Sequence, residues 1–144
     1  MPLHSEQKIL HHSADQMYHL VMDVEKYPDF LPWCLGCEII SRDNTTMVAD
    51  LLIGYKLYRE KFTSKVTTPE PHVIYVEYIR GPLKYLHNQW KFTKINDEKC
   101  MVDFYVDFEF KNPFFEKFMG LFFDEIVRRM VQAFVKRADE IYRS

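Results

Sequence analysis

Trp33-Cys34-Leu35-Gly36-Cys37 is the stretch whose residue types and spacing come nearest to a chemical signature. In a W-C-x-x-C arrangement the first thiol becomes a redox nucleophile when a helix starts directly downstream and its amide groups and dipole stabilise the thiolate. Here Glu38-Ile39-Ile40-Ser41 follows and reads as a strand, the Gly-Pro between the cysteines is missing, and no strand-helix-strand unit surrounds the pair, so redox catalysis is not expected. Structural zinc needs four ligands, usually as two close pairs, and Cys100 stands alone at what reads as a strand edge. His11-His12 falls at a strand end, where neighbouring side chains point to opposite faces, so the two rings cannot share one ion. His4, His19, His72 and His87 are scattered singly and read as surface or locally satisfied residues, with a general base inside a cavity as the alternative. Asp103, Asp107 and Glu109 share one strand face, but Asp103 and Asp107 lie about 13 Å apart along it, too far to act as a carboxylate pair. With four unclustered glycines there is no phosphate loop, and neither a Gly-x-Ser-x-Gly elbow nor a His-Glu-x-x-His helix occurs. Lys56, Tyr58, Arg59, Lys61 and Lys65 could form an RNA-facing ribbon, yet Glu60 and the balanced charge favour a plain solvated strand. No catalytic residue and no metal site is expected.

The elements that must hold these residues follow from length and periodicity. A chain of 144 residues, 47% hydrophobic with a net charge of -2, fits one domain over residues 1–144 with a core large enough to need no staples. The 19 basic and 21 acidic residues create no global field for nucleic acid, and no DNA partner is expected. No apolar run reaches the roughly 18 residues of a spanning helix, and the first residues lack the features of a secretory or transit segment. Three cysteines suit a reducing compartment, so a cytoplasmic location is expected.

Gln7 to His11 reads as a short extended segment, and Ser13 as the N-cap of a helix over Ala14 to Val24 with Met17, Leu20, Val21 and Val24 facing inward. Pro28 and Pro32 leave room for one short helical turn in an aromatic linker. From Glu38 to Phe110 the period becomes two, most clearly from Val102 to Phe110, where even positions are apolar. Turn signals at Asp43-Asn44, Gly54, Pro69-Glu70-Pro71, Gly81-Pro82 and Asn96-Asp97 cut the region into five or six antiparallel strands. Asn112-Pro113 then opens the longest helix, with Phe115, Phe118, Met119, Phe122, Ile126, Met130, Phe134 and Ala138 at core spacing. The fold class is therefore α+β: a curved antiparallel sheet gripping one long C-terminal helix. Bulky side chains between sheet and helix tend to leave a cavity. In the cluster Phe114-Phe115-x-x-Phe118-Met119-Gly120-Leu121-Phe122-Phe123, Leu121 and Phe123 widen the apolar arc beyond one buried stripe, which suits an apolar docking face.

Several blocks in order carry a resemblance that covers nearly the whole chain: Tyr27-Pro28-Asp29-Phe30-Leu31-Pro32-Trp33-Cys34, Ala49-Asp50-Leu51-Leu52-Ile53-Gly54-Tyr55, Glu60-Lys61-Phe62-Thr63-Ser64-Lys65-Val66, Gly81-Pro82-Leu83-Lys84-Tyr85-Leu86 with Trp90-Lys91-Phe92, and Phe118-Met119-Gly120 through Met130-Val131-Gln132-Ala133-Phe134. The chain resembles the ubiquinone-binding COQ10 family and its near relative, the bacterial ribosome-association toxin type, within the START-like, polyketide cyclase superfamily. The resemblance implies a START-like, Bet v 1-like helix-grip domain of six or seven strands. It also implies a non-enzymatic chaperone that holds ubiquinone or a related polyprenyl quinone as its ligand, without a further cofactor, and supports respiration and quinone biosynthesis. Its cavity would be lined by Tyr27, Phe30, Trp33, Phe62, Tyr78, Trp90, Phe104, Phe108, Phe118, Phe122 and Met130, with Tyr78 or Glu77 aimed at the quinone carbonyls. Phe114, Phe115, Leu121 and Phe123 would rest transiently on the inner-membrane surface, making the protein peripheral there, near the respiratory or quinone-biosynthesis enzymes it serves. The alternatives are a ribosome-association inhibitor that binds the large subunit and a cyclase- or aromatase-like enzyme.

Overall fold

The computed structural model describes residues 3–55 and 58–142, apart from the side chains of Tyr55, Tyr58, Phe118, Met119 and Phe122. Lys56 of the basic ribbon, and the expected roles of the Tyr58, Phe118, Met119 and Phe122 side chains, thus lie outside the described residues.

Strand β1 runs over Leu3–Leu10, four residues earlier than the periodicity suggests, because it pairs along its length with the last strand. Helix α1, Ala14–Met22, starts at a capping box in which Ser13 Oγ accepts the Gln16 amide and Gln16 Oε1 accepts the Ser13 amide, both at 3.0 Å. The reciprocal pair satisfies two helix-end donors that would otherwise lack partners. Ala14, Met17, Leu20 and Val21 form its buried face. The helix stops at Met22, short of Val24, and the chain tightens into a 3₁₀ segment over Val24–Asp29 whose last turn starts at Tyr27, the carbonyl of which accepts the Phe30 and Leu31 amides, so Pro28 is the second residue of a turn, where no N–H is needed.

Six strands follow: β2 (Cys34–Arg42), β3 (Thr46–Tyr55), β4 (Tyr58–Thr67), β5 (Val73–Arg80), β6 (Leu83–Asn96) and β7 (Lys99–Phe110). Each pairs antiparallel with its successor, and β1 closes onto β7 in the order β1-β7-β6-β5-β4-β3-β2. Four of the five turn signals fall between strands, whereas Gly54 lies inside β3. A Cβ there would stand 2.5 Å from Leu35 Cδ1, so this glycine permits a close approach rather than a turn. Cys100 is not at an edge either: β7 lies between β1 and β6, and the Cys100 side chain is fully buried.

Helix α2, Pro113–Ile141, begins as its sequence requires, with Asn112 Oδ1 accepting the Phe114 amide at 2.8 Å and proline in the first turn. Its buried stripe is Phe123, Val127, Val131, Phe134 and Ala138, with Ile126 and Met130 half-buried beside it. The stripe is rotated from the expected Ile126-Met130 line. α2 lies against β7, β1 and α1. At its far end His12 is buried and its Nε2 stands 2.7 Å from Asp139 Oδ1. Its neighbour His11 is exposed, and the doublet is a bend after β1 rather than the end of a strand. The core closes on a cluster of rings in which Trp90 meets Phe104 at 4.6 Å and Phe134 at 5.1 Å between centroids. Burying each such ring contributes on the order of 2 kcal/mol.

Candidate functional site

The concave face of the sheet, turned toward α2, loses burial from one end to the other. At the α1 end, Ile74, Trp90 and Phe104 stand directly across from one another on β5, β6 and β7, with exposures of 1%, 5% and 2%. Tyr27 and Phe30 reach Phe134 from the 3₁₀ segment and the residue that ends it, each with centroids 5.3 Å away, and seal this end. Nearer the β5–β6 turn the inner positions are Phe62, Val76, Tyr78 and Phe108, all half-buried although they point inward, as are Leu51 and Ile53 on β3. Strand alternation sends these side chains into the concavity, where each keeps part of its surface exposed.

Tyr78 contributes a polar group to this looser end, opposite the buried Ser64 of β4. Its hydroxyl oxygen accepts the Leu83 amide at 3.0 Å. Deeper in, Asn88 donates to the Tyr105 carbonyl at 2.8 Å while its own oxygen accepts the Trp90 indole N–H at 3.1 Å. Glu77 cannot serve as the second polar contact: one residue from Tyr78 on an alternating strand, it is exposed on the outer face. There it borders an open trough of about 260 Å³ with Tyr75, His87, Gln89 and Tyr105. Nearby, Tyr85 and Tyr105 donate to Asp107, each at 3.2 Å, and desolvation together with that carboxylate pushes the Tyr85 phenol up to about 12.

The W-C-x-x-C segment carries no activated thiol. Cys34 opens β2 and pairs with Ile53, so no helix follows. Burial pushes the Cys34 thiol up, and burial followed by the neighbouring Cys34, Glu25 and Asp50 pushes Cys37 up to about 11. Cys100 is pushed up to about 11 by burial alone. Among the described residues no three metal-ligating side chains converge.

The structure divides the expected lining into two groups. Phe62, Tyr78, Phe108 and Met130 are half-buried against the core, Trp33 is half-buried just before β2 without being among the residues packed on that core, and Trp90 and Phe104 are consumed in ring-on-ring packing and form the floor with Tyr27 and Phe30. Sequence reasoning missed Val76, Leu51 and Ile53, whose inward parity on β5 and β3 was the available signal. Of the expected docking residues, Phe114 and Leu121 are 74% and 73% exposed. Phe115 is half-buried near Phe110. Phe123 is a correction: it is 4% exposed, with its ring 5.2 Å from Phe108, because the helix turns this position toward β7. Beside Leu121 lies a groove of about 530 Å³ between α2 and Leu3, bordered by Glu116, Asp124, Glu125 and Arg128. No helix of the described residues is long and apolar enough to cross a membrane.

Seven antiparallel strands curved around a long C-terminal helix define a helix-grip domain. The family model for polyketide cyclase / dehydrase and lipid transport proteins matches residues 10–135, and the chain belongs to that family. It is 38% identical over 142 residues to the ribosome association toxin RatA of Escherichia coli strain K12, covering 99% of this chain and 90% of that protein. It is 34% identical over 143 residues to the mitochondrial coenzyme Q-binding protein COQ10 homolog B of Xenopus laevis, covering 96% of this chain and 59% of that protein. Among solved structures, the Zhui aromatase/cyclase from Streptomyces sp. R1128 superposes with a TM-score of 0.86 over 99% of this chain and 96% of that one, at 15% identity, a likeness of fold alone.

Proposed function

We propose that the protein is a carrier without catalytic activity that holds a polyprenyl quinone, ubiquinone or a close relative, between the sheet and the first half of α2. The observation that carries this reading is the row of inward, half-buried apolar side chains, Phe62, Val76, Tyr78 and Phe108, beneath the helix. The likeness to a coenzyme Q-binding protein over 96% of the chain supports the ligand class. Each buried CH₂ of a prenyl tail gains about 0.8 kcal/mol relative to water, but a bilayer supplies the same gain, so extraction into the protein is close to neutral and reversible. Cavity shape and a few polar atoms then determine which lipid is kept. Exposed Phe114 and Leu121 supply the transient contact with the inner-membrane surface from which the ligand is drawn, and from which it reaches respiratory or quinone-biosynthesis enzymes. The protein is expected to work in the cytoplasm.

Mass spectrometry of organic extracts from protein freshly purified out of respiring cells should find quinone at a substantial fraction of one equivalent. Repeated empty extracts from folded protein would reject the reading. The 38% identity to RatA favours one second reading, association with the large ribosomal subunit. Co-sedimentation with subunits on a sucrose gradient, in protein that carries no quinone, would establish that alternative.

A further inference from the structure

Resting on the quinone reading, we propose that Tyr78 fixes the ligand's orientation: its hydroxyl donates to a ring carbonyl at the β5–β6 end, and the tail runs inward toward Trp90 and Phe134. A quinone ring offers acceptors only, so it is held by a donor that is not already committed. The Tyr78 oxygen accepts the Leu83 amide at 3.0 Å, which anchors the hydroxyl and leaves its hydrogen to point elsewhere. Gly81 packs onto the same group. At its φ of +144° a Cβ would stand 2.6 Å from Phe62 Cβ and 3.1 Å from the Tyr78 oxygen, so backbone presses on both side chains. The turn that holds them is tied to the joint between β7 and α2 by the Lys111 amide donating to the Pro82 carbonyl at 2.9 Å. The donor is therefore preorganised before any ligand arrives.

Polarity falls in the other direction. The Trp90 N–H is taken by Asn88, and beyond it Phe104, Phe134 and Phe30 present only carbon. A carbonyl carried to that depth would forfeit its hydrogen bonds to water without replacement, whereas a prenyl tail loses nothing there. The ring therefore stays at the looser end and the tail goes in first.

The test compares decylubiquinone with decylbenzene, which has the same tail and no carbonyl. The unmodified protein should bind the quinone about tenfold more tightly, and Tyr78→Phe should remove most of that preference while leaving decylbenzene binding unchanged. Aqueous dithionite should reduce protein-bound decylubiquinone about as fast as quinone in detergent micelles, a readout that needs no variant. A preference that survives in folded Tyr78→Phe, or a bound ring shielded from dithionite, overturns the orientation and leaves the carrier reading standing. Failure of the unmodified protein to bind decylubiquinone at all rejects both.

Discussion

The two ends of the concave face are built from the same residue types and behave differently. At the α1 end Trp90, Phe104 and Phe134 meet edge to face and exclude solvent, while at the β5–β6 end Phe62, Tyr78 and Phe108 point the same way and remain half-open. The difference comes from what stands opposite. α1 and the aromatics around the 3₁₀ turn are driven into one end by their own buried faces, whereas at the other Phe123 packs on Phe108 and leaves Phe62, Val76 and Tyr78 partly exposed. Aromatic composition alone therefore does not distinguish a floor from a lining. The partner across the gap does.

Truncating one ring at each end gives the sharpest contrast. Phe104→Ala should cost about 3–5 kcal/mol in urea unfolding, because a large ring is removed from a packed cluster, while Phe62→Ala should cost about 1 kcal/mol and weaken decylubiquinone binding instead. Equal stability losses at both sites would erase the distinction. Next in size, Gly81→Ala forces an unfavourable backbone angle and a collision with Phe62, for an expected loss of about 2 kcal/mol together with weaker quinone binding. Stability unchanged within error would mean that the turn does not hold the looser end. At the sealed end, His12→Ala breaks the contact with Asp139 and should lower stability by about 1 kcal/mol with ligand binding intact, seen as a shifted urea midpoint at constant slope.

The gentlest perturbation leaves the sequence untouched. Cys37 and Cys100 are raised from 9.0 to about 11 in the folded chain. Above pH 9 the unfolded thiols release protons that the folded ones keep, so the unfolded state binds fewer protons and stability falls as pH rises toward 11. Neither thiol contributes to pH dependence on the acid side. Urea midpoints between pH 8 and 11 should show the decline, and Cys37→Ser with Cys100→Ala should lessen it, the remainder coming from Cys34, Tyr27 and Tyr85, which burial also pushes up.

Where structure is governed by neighbours in sequence, it could be read directly. The Ser13 cap, the Asn112-Pro113 helix start and the alternation from Val102 to Phe110 each express a local rule, and each appears where expected. The misplacements involve distant partners. Phe123 belongs to an apolar arc so wide that several rotations of α2 bury comparable carbon, and contact with Phe108 selects one of them. His12 finds its acceptor on α2, and Cys100 becomes interior because β1 returns to cover β7. Tyr78 and Glu77 were equal candidates until strand parity sent one in and the other out. The helix-grip fold and the inward positions of the strands were thus legible, but which of those positions are fully buried and which stay half-exposed was not, since it depends on every side chain across the gap.

The pairing of β1 with β7 has a consequence for how the chain comes together. Leu3 lies opposite Asp107 and Leu10 opposite Cys100, so β1 is made long before β7 and waits for it before it can enter the ladder. Long-range pairing of this kind is slow, since closing so large a loop must precede any reward. Until β7 is available, the segment that carries Leu3, Ile9 and Leu10 has no strand to pair with and presents apolar side chains and an unpaired edge open to stray association.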